Sequence, residues 1–130
     1  MDITQIIYTR ATTHAGTTAL IGTRFYPGIL PQNATLPAVT YQKISDPMVK
    51  RVMAGVTNVR YPRVQLDVWA ATYAQCEAVA VQLRTAFQDY ATSSGGLTLA
   101  FTIVDSEFDN HEADNQLFRR TMDLRLWYKL

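Results

Sequence analysis

The sequence predicts an α+β domain, in which a mainly antiparallel sheet carries its helices on one face. Several segments alternate apolar and polar residues and are separated by short turns, while another long segment repeats apolar residues at helical spacing. Short connections between consecutive strands favour antiparallel pairing. In chain order the elements are helix, strand, strand, strand, helix, strand, strand. The 130 residues suffice for one core and not for two, so we expect one domain over residues 1–130.

The first helix is predicted from Asp2 to about Ala15, since four apolar residues recur there at helical spacing behind a capping aspartate. We expect the following AGTTALIG to be a loop or a single turn. The second helix begins after Thr72, whose pairing with Gln75 is typical of a capping box. Its apolar stripe is Cys76, Val79, Ala80, Leu83, Phe87 and Tyr90, and we expect Gly95 and Gly96 to end it.

Five segments read as strands. A brief extended piece covers residues 24–26, AVTYQKIS starts at Ala38, and RVQLDVWA starts after Pro62, which cannot donate to a ladder. The last two strands are LTLAFTIV and FRRTMDLRLWYKL. In LTLAFTIV the alternation places four side chains on the core face: Leu97, Leu99, Phe101 and Ile103. The opposite face of the sheet carries Trp69, Trp127, Arg119 and Arg125.

Net charge and terminal sequence exclude several classes of protein. The formal charge is only +1, so no field of the whole molecule attracts nucleic acid or an anionic membrane. The first residues lack the basic start and apolar run of a signal peptide, and no apolar stretch is long enough to span a bilayer. We expect a soluble protein made in the cytoplasm, with no membrane partner.

Motifs of catalysis are missing from the sequence. GxSxG, GxxxxGK[ST], HExxH and paired CxxC do not occur, and the lone Cys76 lies on an apolar helix stripe, as a core residue would. Asp105, Glu107 and Asp109 have the spacing of a calcium loop, but Asn110 replaces the required glycine. We therefore predict no enzyme activity, no cofactor and no metal, and we interpret DSEFDNHEADNQ as a solvated acidic turn.

Opposite charges are segregated along the chain. Residues 47–66, the basic segment, hold Lys50, Arg51, Arg60 and Arg63 without an acid, and residues 105–114, the acidic segment, hold five acids without a lysine or arginine. Both can be ordinary solvated loops. Alternatively, opposite charges on separate loops favour head-to-tail contact between copies, which closes into a ring when the rotation permits. The candidate contact residues are Lys50, Arg51, Arg60, Asp109, Glu112 and Asp114.

Two stretches, GTRFYPGILPQNATLPAVTYQKIS and RVQLDVWAATYAQCEAVAVQLRTAF, resemble the tail completion (tail terminator) family of long-tailed bacteriophages and prophages. The shared features are the Gly-x-Arg-aromatic-Tyr-Pro entry, the LPAVTYQ and QLDVWA strands and the alanine-rich helix after them. Residues 15–104 carry the resemblance. It implies a virion protein of α+β fold that forms a six-membered ring on the head-proximal end of the tail tube. The implied partners are tail tube protein, head-completion protein and DNA passing through the lumen, with no catalytic residues.

A proline-rich loop suggests a docking surface. Four of the five prolines lie within residues 22–47, and proline lowers the entropy that a loop loses on binding. Tyr26, Ile29 and Leu30 are the candidate contacts, although the loop can instead pack only on its own sheet.

Two other functions remain open from the residues. A stopper protein of the neck would bind portal rather than tube, and a small host binding or hydrolytic protein could share an α+β pattern. A major tail protein gene directly downstream would favour the terminator.

Overall fold

A computed structural model describes residues 2–48, 59–112 and 117–129, apart from the side chain of Glu112. These residues form an α+β fold whose sheet is mostly antiparallel, as predicted. The helices are α1 (Ile3–Thr13), α2 (Ala15–Ile21) and α3 (Tyr73–Phe87). The strands are β1 (Phe25–Pro27), β2 (Ala38–Ser45), β3 (Val59–Arg60), β4 (Arg63–Ala70), β5 (Thr92–Ser94), β6 (Leu97–Glu112) and β7 (Leu117–Lys129).

The strands join into one sheet of order β1-β2-β4-β7-β6-β5, and β3 pairs with the end of β7. Pairing is antiparallel except between β1 and β2. Pro62 separates β3 from β4, as its missing N–H requires, and its carbonyl accepts a hydrogen bond from the Leu126 N–H. The alternating burial of β4 confirms the predicted half-buried strand.

The three helices contact one another, and α3 packs on β4, β6 and β7. Its buried stripe includes Cys76, Val79, Leu83 and Phe87, which confirms the predicted core. The expectation of a loop or single turn after α1 was wrong, because AGTTALI forms helix α2. His14 caps α2 by accepting from the Thr17 N–H. Gly16 of α2 lies against the end of the Gln82 side chain on α3.

The end of α3 also differs from the prediction. The helix stops at Phe87, and Asp89 takes a positive φ of 61° just beyond it. Gly95 and Gly96 instead make the tight turn between β5 and β6, both with positive φ. Glycine in the left-handed conformation is common both at helix ends and in hairpin turns. The sequence alone therefore could not show which of the two Gly95 and Gly96 form.

Strand β6 is longer than predicted and contains two bulges. The acidic segment was predicted to be a turn, but residues 105–112 continue β6 and pair with β7. The bulges leave Ala100 and Asp105 without a partner on β7, and each one moves the following residues to the other face. Consequently Phe101 and Ile103 do not face the core with Leu97 and Leu99, and their exposed fractions are 38% and 39%.

None of the helices formed by the described residues is long and apolar enough to cross a membrane.

Candidate assembly surfaces

Arg24 fixes the proline-rich loop between β1 and β2 through two hydrogen bonds to backbone carbonyl oxygens. Its guanidinium donates to the carbonyl oxygens of Pro37 and Leu20, at 2.9 and 3.0 Å. Gly22 ends α2 with a φ of 59°, which permits the chain to turn into β1. The Gly-x-Arg part of the shared motif therefore shapes the entry to the loop rather than a binding site.

The aromatic residues of this region divide between core and surface. Phe25 is buried and stacks on Tyr41 with 4.8 Å between ring centroids, so both pack with the core rather than forming the docking surface. Tyr26 and Leu30 are half-buried. Ile29 is 83% exposed, next to Gly28, whose N–H donates to the Tyr41 carbonyl. The loop thus presents the largely exposed apolar side chain of Ile29 on an anchored backbone.

Asp46, just before the basic segment, and Arg60 within it meet at one partly buried contact. Tyr128, on β7, donates to the Asp46 carboxylate at 2.8 Å, and Arg60 donates to the Asp46 carbonyl oxygen at 3.3 Å. The Tyr61 N–H donates to the Pro47 carbonyl. Burial and then the hydrogen bond to Asp46 raise the pKa of the Tyr128 hydroxyl. The predicted contact residues Lys50 and Arg51 lie outside the described residues.

The acidic segment is fixed to α3 through arginines. Arg120 donates to both carboxylate oxygens of Asp109 and also to Glu77 and to the Tyr73 hydroxyl. These carboxylates raise the pKa of Arg120, so its charge is permanent. The Glu112 side chain and Asp114 lie outside the described residues, so Asp109 is the predicted acidic contact whose side chain can be located.

A second arginine on α3 extends this ion-pair network. Arg84 donates to both oxygens of Glu107, at 2.6 and 2.9 Å, and contacts Glu77 at 3.4 Å. The hydrogen bond from Arg120 is the main cause that lowers the pKa of Glu77. The sequence analysis missed this network because its arginines and acids lie on three different elements, α3, β6 and β7. Arg120 was a detectable signal, since it interrupts the apolar face of β7 between Phe118 and Met122.

The face of the sheet opposite the helices carries a polar and aromatic layer, as the two tryptophans and two arginines suggested. Arg63 donates to Asp123 at 2.7 Å, and Asp123 also accepts from Ser106. Nearby, Trp127 stacks on Tyr61 with 4.1 Å between centroids. Side chains of this layer thus bond to one another, although the buried Arg63 Nε and Asp123 Oδ1 atoms have no hydrogen-bond partner among the described residues.

The candidate contacts occupy two ends of the molecule. Arg60 pairs with Tyr128 and Asp109 pairs with Arg120, eight residues earlier on β7. At the rise of a strand this is a separation of about 26 Å. One chain therefore does not bring its described basic and acidic contacts together.

The three acids with calcium-loop spacing are divided between the two sides of β6. Glu107 and Asp109 bind arginines on the helix side, while Asp105 lies 3.8 Å from Arg125. Within the described residues, no group of three or more histidine, cysteine or acidic side chains is arranged to hold a metal ion.

Comparison with protein families identifies the chain. The sequence model of the family described as "Tail completion protein gp17" matches residues 5–129. The chain belongs to the tail completion protein family. It is thus a structural virion protein of the tail or neck, as the entry loop, the two strands and the helix after them indicated.

The solved structures include a similar fold. A chain of the "Virion of native gene transfer agent (GTA) particle" matches with a TM-score of 0.77 at 15% identity, over 95% of this chain and 92% of that chain. At this identity the similarity establishes the fold. The search of curated proteins found no match.

Proposed function

We propose that the chain forms a ring at the head-proximal end of the phage tail tube, where it ends tube polymerisation and joins the tail to the head. The observation that carries this proposal is the family match over residues 5–129, which covers nearly the whole chain. The role needs contact surfaces and no reaction, so the proposal includes that the chain is not an enzyme.

The ring contact in this proposal is head to tail. The basic segment around Lys50, Arg51 and Arg60 meets the acidic segment around Asp109, Glu112 and Asp114 of the next copy. The separation of Arg60 from Asp109 along β7 supports a contact between copies, because a heterologous contact requires its two patches at different places on one chain. The expected ring size of about six comes from the family rather than from symmetry.

The other partners meet the ring on its two sides. The loop with Tyr26, Ile29 and Leu30 is the proposed docking surface for tail tube protein or head-completion protein, because its anchored backbone loses little freedom on binding. DNA passes through the lumen without sequence-specific binding, and no cofactor takes part.

Extract complementation tests this function. Heads and tails from cells that lack the gene are mixed with the purified chain, and joined particles are counted by electron microscopy. We expect joining to depend on the chain, and to fall when Arg60→Glu reverses the described basic charge. Ala19→Glu is the control for an added negative charge, since Ala19 is exposed on α2 and belongs to neither segment. Joining without the chain would contradict the proposal, and heads that leak DNA beside tails of normal length would favour a stopper.

A further inference from the structure

Both edges of the sheet are covered by an outer strand over only part of their length. At one edge β1 pairs with β2 over Val39–Tyr41, and at the other β5 pairs with β6 over Leu97–Leu99. Residues 42–45 of β2 extend beyond the end of β1. Most of β6 likewise extends beyond the end of β5. The sheet therefore has two open segments, one on each side.

The open edge of β6 is the longer of the two. The Thr102 carbonyl accepts from the Asp89 N–H, and the Val104 N–H donates to the Gln88 side chain. From Ser106 to His111, the described residues provide backbone partners on the β7 side and none on the outer side. An exposed row of backbone donors and acceptors is a template for another strand.

We propose that the open segment of β2 in one copy pairs with the open edge of β6 in the next copy, so that the sheet continues from copy to copy. This inference rests on the proposed ring and names its backbone contact. The occupant of the β6 edge is thus a second copy of this chain, through residues 42–45.

Strand direction favours this pairing. The four long strands β2, β4, β7 and β6 alternate in direction across the sheet. Because their number is even, a further β2 placed beside β6 runs antiparallel to it and keeps its helix side on the same face. The geometry can repeat for any number of copies.

Each of the two open segments carries an exposed apolar side chain beside charged ones. Lys43 lies on the helix side, near Asp2 at the start of α1, and β2 leads directly into the basic segment. Glu107 and Asp109 lie on the helix side of β6. Ile44 and Phe108 are exposed apolar residues, 42% and 52% accessible, which pairing would cover. Because Glu107 and Asp109 are already paired with Arg84 and Arg120, and Lys43 with Asp2 and Asp46, the proposed pairing rests on the open backbone edges and these apolar residues rather than on charge.

The open segments lie at different heights on the sheet. Read across the paired strands, Tyr41 is level with Glu107 and Ser45 is level with Ile103. Joining the open segments therefore offsets neighbouring copies along their strands. A closed ring accommodates such an offset by strand tilt, as closed barrels do.

Cysteine crosslinking tests the edge contact on the joined particles of the extract assay. The chain with Ile44→Cys and Phe108→Cys is used for joining, and the particles are treated with a short bis-maleimide. Cys76 is 1% exposed and does not compete. We expect a ladder of crosslinked chains that ends at the ring size, while particles with either single variant give monomers. The pair Val81→Cys and Phe108→Cys is the matched control, since Val81 is also exposed but lies on α3.

The possible outcomes separate the edge contact from the ring. Joined particles without a ladder would overturn the edge contact and leave the proposed function standing. Dimers from Phe108→Cys alone would also overturn it, because two β6 edges would then pair with each other. A ladder with the double variant that fails to close would support the edge contact and contradict the ring.

Discussion

Arg120 on β7 binds both carboxylate oxygens of Asp109 on the adjacent strand β6, at 2.6 and 3.3 Å. The same guanidinium reaches Glu77 and Tyr73 on α3, although its side chain is only 7% exposed. One buried arginine therefore attaches the acidic end of the β6–β7 hairpin to the helical layer.

Replacing this arginine tests the attachment. We expect Arg120→Met to lower the free energy of unfolding by about 1–3 kcal/mol, because it leaves two carboxylates without their main partner. The loss stays below that of a fully buried pair, since Glu77 and Asp109 are 44% and 47% exposed and can be hydrated. Urea unfolding measures the change.

The matched control is Arg125→Met on the same strand. Arg125 lies 3.8 Å from Asp105, an exposed partner, so its loss should be about 0–1 kcal/mol. Equal losses for the two variants would contradict a special role for Arg120.

The two phenylalanines of the predicted core stripes should respond differently to truncation. Phe87, the last residue of α3, is fully buried, so Phe87→Ala should cost about 3–5 kcal/mol. Phe101 is 38% exposed on the opposite face of the sheet, and Phe101→Ala should cost about 1 kcal/mol. Chemical denaturation of both variants measures the two losses in the free energy of unfolding. A loss below about 1 kcal/mol for Phe87→Ala would mean that α3 docks differently.

Strands β4 and β6 show which parts of the fold could be predicted from the sequence. Val64, Leu66 and Val68 alternate without interruption, and the period of two assigned their faces correctly. In β6 the same rule failed from Phe101 onward. A bulge adds one residue without changing composition, so nothing in LTLAFTIV reveals that Ala100 lies outside the ladder.

Only some features of the candidate surfaces could be predicted from the sequence. The exposure of Ile29 follows from a proline-rich loop, whereas the fixed position of Asp109 depends on Arg120, Arg84 and Glu77, which are distant in sequence. Hydrogen bonds between elements arise from the tertiary arrangement. Charge segregation alone could therefore locate the acidic segment but could not show that it is a strand edge.

Acid should weaken the Arg120 network through Glu77. The pKa of Glu77 is lowered in the folded chain, first by the hydrogen bond from Arg120. Its contribution to stability is therefore present above the ordinary glutamate pKa of about 4.3 and is lost as the pH falls below it. We expect Glu77→Gln to make the decline of melting temperature in acid less steep. The effect should shrink in the Arg120→Met background, and an unchanged effect there would contradict this origin.

Tyr128 should confer an alkaline dependence. Burial and the hydrogen bond to Asp46 raise the pKa of the Tyr128 hydroxyl. The stability that this contact contributes is therefore complete below the ordinary tyrosine pKa of about 10 and is lost as the pH rises above it. We expect Tyr128→Phe to cost about 1–2 kcal/mol near neutral pH and to flatten the alkaline decline. Tyr61→Phe is the control, because Tyr61 contributes its ring to the stack on Trp127. Identical alkaline curves for wild type and Tyr128→Phe would contradict the prediction.

The central claim is that the chain ends the tail tube and joins it to the head. Electron microscopy of particles made without the gene, with the length of every tail recorded, tests it most directly. We expect filled heads separate from tails, with tails of irregular or excess length. Joined virions with tails of normal, uniform length would contradict it.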